Sequence, residues 1–198
     1  MAWAPDYLTV AELAAYLRID DDVDDLELAA AITAASRAID HATNRQFGKV
    51  AAVAERLFTA RPDYDRGYWV VDVDDFQTAT GLVVTVDGDV LATFTKEPVN
   101  AAGKGRPWTR LAWTAESEYI PCGARHEIAV TALWGWTSVP PTVVAATKLQ
   151  ANRFFTRRSA PFGVAGSPDQ GSEMRLLARV DPDVAVMLSD YKRPRGVG

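Results

Sequence analysis

DDLELAAAITAASRAIDHATNRQFG, residues 24–48, decides how the rest of the chain is read. Leu28, Ile32, Ala35 and Ile39 recur at steps of four, three and four, which lines one face of an α-helix. Asp22, Asp24 and Asp25 stand where carboxylates favour the exposed amides of a helix start. The spacing predicts a helix over 24–44, roughly 30 Å long at the usual rise per residue. Ala29, Ala30, Ala31, Ala34, Ala35, Ala38 and Ala42 lie along it. Such small side chains let neighbouring backbones approach closely, so helix packing within or between subunits is its natural use. From Phe47 onward the helical period stops.

Upstream, Thr9 and Glu12 form an S/T-x-x-E capping box. Leu13, Tyr16 and Leu17 behind it share one face, giving a short helix over 10–18. Downstream, the pattern alternates. Arg56–Thr59, Tyr68–Val73, Leu82–Val86, Val90–Phe94, Thr109–Thr114 and His126–Trp136 read as strands, five to seven of them between residues 50 and 136. Asp87-Gly88 marks a hairpin. Pro98–Pro107, with Gly103 and Gly105, reads as a loop. Pro140 and Pro141 then open a helix to Arg157, since proline lacks only an amide that the first turn leaves unpaired. Val144, Ala151 and Phe155 lie along one side of it, with Ala145 and Leu149 beside them. Residues 159–173 read as a loop and Met174–Val180 as extended chain. Asp181-Pro182-Asp183 starts a last helix with Val184, Met187 and Leu188 inward. Lys192–Gly198 reads as a basic, frayed tail.

The expected fold class is therefore α+β. Helices at 10–18, 24–44, 141–157 and 182–190 form a small bundle of three to four helices. A β-rich domain is inserted between the second and third. The expected parts are 1–48, an N-terminal helical hairpin; 49–138, the insertion; and 139–198, the C-terminal helices with loop and tail.

Charge follows a similar division. Residues 1–46 hold three arginines against nine carboxylates, and residues 141–198 hold nine Lys or Arg against five. Opposite ends of opposite sign suit an object whose ends face different surfaces. The whole-chain net charge of -5 argues against a protein that coats DNA. No run of 18 apolar residues is present, so no membrane span is expected. The start lacks the basic and apolar regions of a signal peptide. Cys122 is the sole cysteine, which excludes an intrachain disulfide.

Chemistry finds little to work with. Asp20, Asp22 and Asp24 occupy positions 1, 3 and 5 of an EF-hand count, but Asp25 replaces the glycine and Ala31 the final glutamate. Helix capping and solvation explain the run better than calcium. Gly103-Lys104-Gly105-Arg106 is too short for a phosphate loop and reads as a turn. Its Lys104 and Arg106 could touch DNA or an acidic neighbour. His41, His126 and Cys122 are the only imidazoles and thiol, with no nucleophile motif beside them. Zinc would want three or four such ligands at suitable spacings. Asp74 and Asp75 read as a turn edge. The reading is no enzyme, no metal and no cofactor. Trp134 and Trp136 share a face where the last strand meets the proline-capped helix. Core packing explains them, and a subunit interface is the alternative.

Two stretches carry a family resemblance. Leu8–Asp22, followed by Asp25-Leu26 and the alanine-rich helix ending Ala42-Thr-Asn-Arg-Gln-Phe-Gly48, resembles a tailed-phage head–tail connector of the HK97 gp6-like type. Gly135–Arg158, Ala160–Val164 and Asp181–Val184 resemble the later part of relatives from phages of actinobacteria. Helical elements similar to the family cover residues 8–47 and 136–192. The β-rich insertion departs from the short, almost wholly helical members.

The resemblance implies a structural adaptor of the virion neck, assembled in the host cytoplasm. Such adaptors form a homo-oligomeric ring, usually of twelve subunits, between the portal and the tail-completion or stopper proteins. They surround passing double-stranded DNA without reading its sequence, and have no catalytic site. The insertion would decorate the ring's outside or meet capsid or tail. Arg157, Arg158, Lys192, Arg193 and Arg195 are the candidate portal contacts. Asp20, Asp21, Asp22, Asp24 and Asp25 are the candidate lumen-facing carboxylates. Trp134, Trp136 and Phe155 are candidate interface or core aromatics. The alternatives are a β-domain module binding carbohydrate or peptide, and a hydrolase with a cleft that sequence does not reveal.

Overall fold

The computed structural model describes residues 4–114, 117, 119, 121–157, 164–165, 174–175 and 181–193. The fold is mixed α+β and divides into two units, Met1–Phe47 with Val139–Gly198, and Gly48–Ser138.

In the first unit, α1 (Val10–Leu17) starts at the expected capping box. The Glu12 carboxylate accepts the Thr9 N–H at 2.9 Å, and the Thr9 hydroxyl accepts the Glu12 N–H at 3.3 Å. Helix α2 (Asp25–Thr43) ends at Asn44, whose φ of 52° reverses the chain. It packs on α1 and on α3 (Pro141–Thr156), and α3 packs on α4 (Pro182–Met187). Leu28, Ile32, Ala35 and Ile39 are all buried, as their spacing requires.

The first unit adds detail to these expectations and overturns one, the frayed tail. Along the Leu13, Tyr16 and Leu17 face, Leu13 is buried, Leu17 half-buried and Tyr16 46% exposed. The buried stripe of α3 runs through Val143, Ala146, Thr147, Gln150 and Ala151. The expected side of Val144, Ala151 and Phe155 packs on the helical core as well, and two residues of the buried stripe are polar. Each is satisfied: the Thr147 hydroxyl donates to the Val143 carbonyl at 2.8 Å, and the Gln150 Oε1 accepts the Asp181 N–H at 3.3 Å. The chain at Lys192–Arg193 is not frayed. The Arg193 N–H donates to the Thr43 carbonyl at 2.8 Å, and the Tyr191 ring meets Phe47 edge-on at 5.7 Å. Within the expected 159–173 loop, β9 (Val164–Ala165) pairs with β10 (Met174–Arg175). Most of that loop, and the extended chain expected at 176–180, lie outside the described residues.

The second unit holds eight strands among the described residues, more than the five to seven expected. They are β1 (Ala54–Phe58), β2 (Arg61–Asp63), β3 (Tyr68–Phe76), β4 (Val83–Val86), β5 (Asp89–Val90), β6 (Thr95–Glu97), β7 (Trp108–Trp113) and β8 (Ile128–Ala132). They form two antiparallel sheets, ordered β1-β8-β4-β5 and β2-β3-β7-β6. Asp87 and Gly88, at φ 50° and 93°, make the expected tight turn between β4 and β5. Strand pairing then stops at Val90. The strand expected over Val90–Phe94 is replaced by β6, which joins the other sheet. The expected loop at 98–107 contains a 3-10 turn at Ala102–Lys104.

Both sheets feed one core. Val71, Val73, Leu111 and Trp113 come from one, and Val84, Val86, Ile128 and Val130 from the other. The sheets are tied where Phe76 bridges to Trp134 and Gly135. Strand β8 ends at Ala132, so Trp134 and Trp136 lie beyond it rather than on it. The cause is Gly135, whose φ of 101° turns the chain beneath Gly48.

Candidate functional site

The thiol and imidazole candidates are surface features. Cys122, His41 and His126 are exposed. Cys122 lies in a turn organised by Glu127, whose carboxylate accepts the N–H groups of Cys122, Gly123 and Ala124 at 2.9–3.0 Å and the Tyr119 hydroxyl. Partial burial pushes the Glu127 carboxyl up, but these donors outweigh it and hold the group below the usual glutamate range. The geometry is that of a carboxylate serving its own turn. Among the described residues no group of three or more His, Cys, Asp or Glu converges as metal ligands do. No helix there is long and apolar enough to cross a membrane.

Asp74 and Asp75 are not a turn edge. Both lie on β3. Asp74 is exposed and pairs with Arg56, while Asp75 is buried and accepts the Trp136 indole N–H at 2.9 Å. Trp134 is buried too, and its indole donates to the Ala54 carbonyl at 2.7 Å. Two tryptophans held inward by hydrogen bonds serve the core. Phe155 packs, half-buried, against the helical core.

The acidic residues sit at the corner between α1 and α2. Asp20, Asp21, Asp22 and Asp25 are exposed, and Asp24 half-exposed. Asp24 precedes α2 without a side-chain capping bond, and Asp21 Oδ1 accepts the Val23 N–H at 3.3 Å. Among them Val23 is 80% and Leu26 84% exposed, an apolar pair that the sequence reading missed. Of the basic candidates, Arg157 caps α3 and is half-buried, Lys192 is exposed and Arg193 is half-buried. Arg158 and Arg195 lie outside the described residues.

The sequence reading also missed how differently the two sheets face outward. Directly opposed residues on antiparallel strands share a face. On β2-β3-β7-β6, Asp72 opposes Arg110, which opposes Glu97. Arg110 Nε donates to Asp72 at 2.9 Å, and Arg61 reaches the same carboxylate at 2.7 Å. Partial burial raises the Asp72 carboxyl, but the Arg61 and Arg110 hydrogen bonds overcome it and leave it below the usual range. Beside the ladder lies an open depression of 510 Å³ that includes Arg66, Tyr68, Glu97 and Arg110. Its arginines already face carboxylates, so it offers no surplus charge for an anion.

On β1-β8-β4-β5 the outward rows are Leu57–Ala129–Thr85–Val90 and Glu55–Thr131–Val83. Glu55 is their one charge. Leu57 is 54%, Val90 68% and Val83 41% exposed. The signal was present in the strand sequences: Leu57-Phe58 and Val83-Val84 place apolar side chains on both faces.

No family model matches the sequence, and no curated protein does. Solved structures do. A chain in the neck of an empty gene transfer agent particle, computed with C6 symmetry, is similar over 100% of this chain and 96% of its own, at TM-score 0.52 and 20% identity. Chains from the neck of the native particle, computed with C12 symmetry, and from its virion give TM-scores of 0.48. They are 21% and 22% identical, covering 100% and 97% of this chain and 96% and 92% of theirs.

Proposed function

We propose that this protein is a structural component of the neck of a tailed phage or phage-like particle. In this reading it is a connector that forms a ring between the portal and the tail-completion proteins, around the DNA channel. The observation that carries it is the likeness to a neck chain along the whole length, β-rich unit included. The sequence resemblance in the helical segments supports the same role from different residues. The neck likeness does not single out the HK97 gp6-like type.

A ring subunit needs rigid packing surfaces and ends that reach different neighbours. The basic residues beyond α3 are assigned to the portal, where arginines pair with carboxylates. Because Tyr191 and Arg193 pack on the helical unit, the informative truncation starts at residue 194. Removing 194–198 should lower incorporation onto portal-bearing heads while leaving the circular dichroism spectrum unchanged. Normal incorporation would remove the tail from the contact. Electron microscopy of assembled particles, or of protein mixed with portal, tests the role itself. The expected result is a ring at the portal's narrow end, and a particle assembled without this protein would end the reading.

The acidic corner has two uses in such a ring. Carboxylates on the channel wall would let DNA slide by repulsion. The exposure of Val23 and Leu26 among them favours contact with protein instead.

A further inference from the structure

We infer that the groove between α1 and the start of α2 seats a segment of the tail-completion protein, one that carries aliphatic side chains flanked by Lys or Arg. This contact rests on the connector reading above and specifies the chemistry on its tail side. The groove is open and has a volume of 800 Å³. Val10, Ala14 and Ile19, half-buried against the helical core, line it together with Ala11 and Ala15. Asp20, Asp21, Asp22 and Asp25 line it too. Val23 and Leu26 stand among these carboxylates in the chain, 80% and 84% exposed.

Two properties of the groove select its occupant. Aliphatic side chains in water gain only from apolar cover, so the occupant brings aliphatic residues. Asp20, Asp21, Asp22 and Asp25 form no ion pair among the described residues, and Arg18 is the one cation in the run 18–26. An uncharged occupant would dehydrate these carboxylates without pairing them. One with Lys or Arg at its flanks pairs them at a wet rim, where they also steer approach.

Position selects the neighbour. The basic tail starts at the other end of α2, where the Arg193 N–H donates to the carbonyl of Thr43, the last residue of that helix. The helix has 19 residues, so about 28 Å separate that point from Asp25. The five residues after Arg193 span about 17 Å at full extension, too little to reach their own chain's groove. With the basic end given to the portal, the acidic end faces the neighbour on the opposite side. This placement takes the corner away from the channel wall.

Photo-cross-linking in assembled particles tests it. A chain carrying Cys122→Ser and Leu26→Cys is labelled with benzophenone maleimide, assembled onto portal-bearing heads, joined to tails and irradiated. Leu26 is exposed, so folding should be unaffected, as circular dichroism will check. The expected product is an adduct with the tail-completion protein, on a peptide that carries Lys or Arg beside aliphatic residues. An adduct with a second copy of this chain, with portal or with DNA overturns the inference, and so does the absence of any adduct in fully labelled particles. Charge is tested separately with Asp20→Asn, Asp21→Asn, Asp22→Asn and Asp25→Asn combined. Heads bearing that chain should join purified tail-completion protein about tenfold more slowly at low salt, with little difference at high salt. If the variant rings the portal and joins at the parent rate, the groove is not the contact and the connector reading survives. If electron microscopy finds neither chain at the portal, the connector reading falls and takes this contact with it.

Discussion

The two sheets of the β unit share one core yet turn opposite kinds of surface outward. One closes its outer face with a Glu97–Arg110–Asp72 charge ladder and further arginine pairs. The other leaves Leu57, Val83 and Val90 bare. Opposed charges on a ladder satisfy one another, so that face is finished as it stands. Bare aliphatic side chains gain nothing until something covers them. The difference separates a face completed within the chain from one that leaves apolar surface in water.

The strongest way to break the comparison is to break what both sheets share. A Cβ at Gly135 would lie 2.1 Å from the Gly48 carbonyl oxygen, at a φ of 101° that other residues rarely adopt. Gly135→Ala should therefore cost about 4 kcal/mol or more. Tryptophan emission will read this selectively, because five of the six tryptophans (Trp69, Trp108, Trp113, Trp134 and Trp136) lie in this unit. A denaturant midpoint within error of the parent's would refute the close approach.

Removing the ladder's centre should cost less. Arg110→Ala leaves Asp63 and Glu97, both mostly buried, without one of their cations. A loss of about 2 kcal/mol in urea unfolding is expected. Arg56→Ala removes one exposed ion pair, with Asp74, and a stack over the Trp134 ring at 4.8 Å, and should lose about 1 kcal/mol. Equal losses would mean that the ladder does not act as a network.

Acid should act through the same ladder. The Asp72 carboxyl is held below its unfolded value, so its contribution is complete above the unfolded pKa and disappears as pH falls through the folded one. Parent stability should thus fall below about pH 4. Asp72→Asn should be less stable at neutral pH and should lose less on acidification. Thermal melts across that range will show whether the two curves converge. Parallel curves would exclude Asp72 as a source of the acid limb.

The smallest expected effect lies on the bare face. Val90→Lys should change stability by less than about 0.5 kcal/mol, since the side chain already faces water. A large loss of thermal stability would mean that the face is packed within the chain.

The fold class was legible because local chemistry spells it. The Leu28–Ile39 spacing, the Thr9/Glu12 box, Asp87-Gly88 and Pro140-Pro141 each specify structure over a few residues. Burial of Gln150 on α3 was not legible, because its partner Asp181 is distant in sequence. Asp75 was misread for the same reason, since its partner Trp136 is distant in sequence. Val90–Phe94 has strand composition, but the pairing edges of the sheets went elsewhere. The candidate surfaces were half legible. The acidic run is plain in the sequence, whereas the apolar sheet face emerges only once Leu57, Val83 and Val90 are known to sit on neighbouring strands.

The sequence by itself determined the helices, the tight hairpin turn and the mixed class, because periodicity, caps and turn residues act through neighbours along the chain. The tertiary structure alone decided which strands pair, which carboxylates meet arginines, and which valines and leucines stay in water. Those outcomes depend on contacts between residues far apart in sequence, and a residue's own type does not fix its register or what lies opposite it.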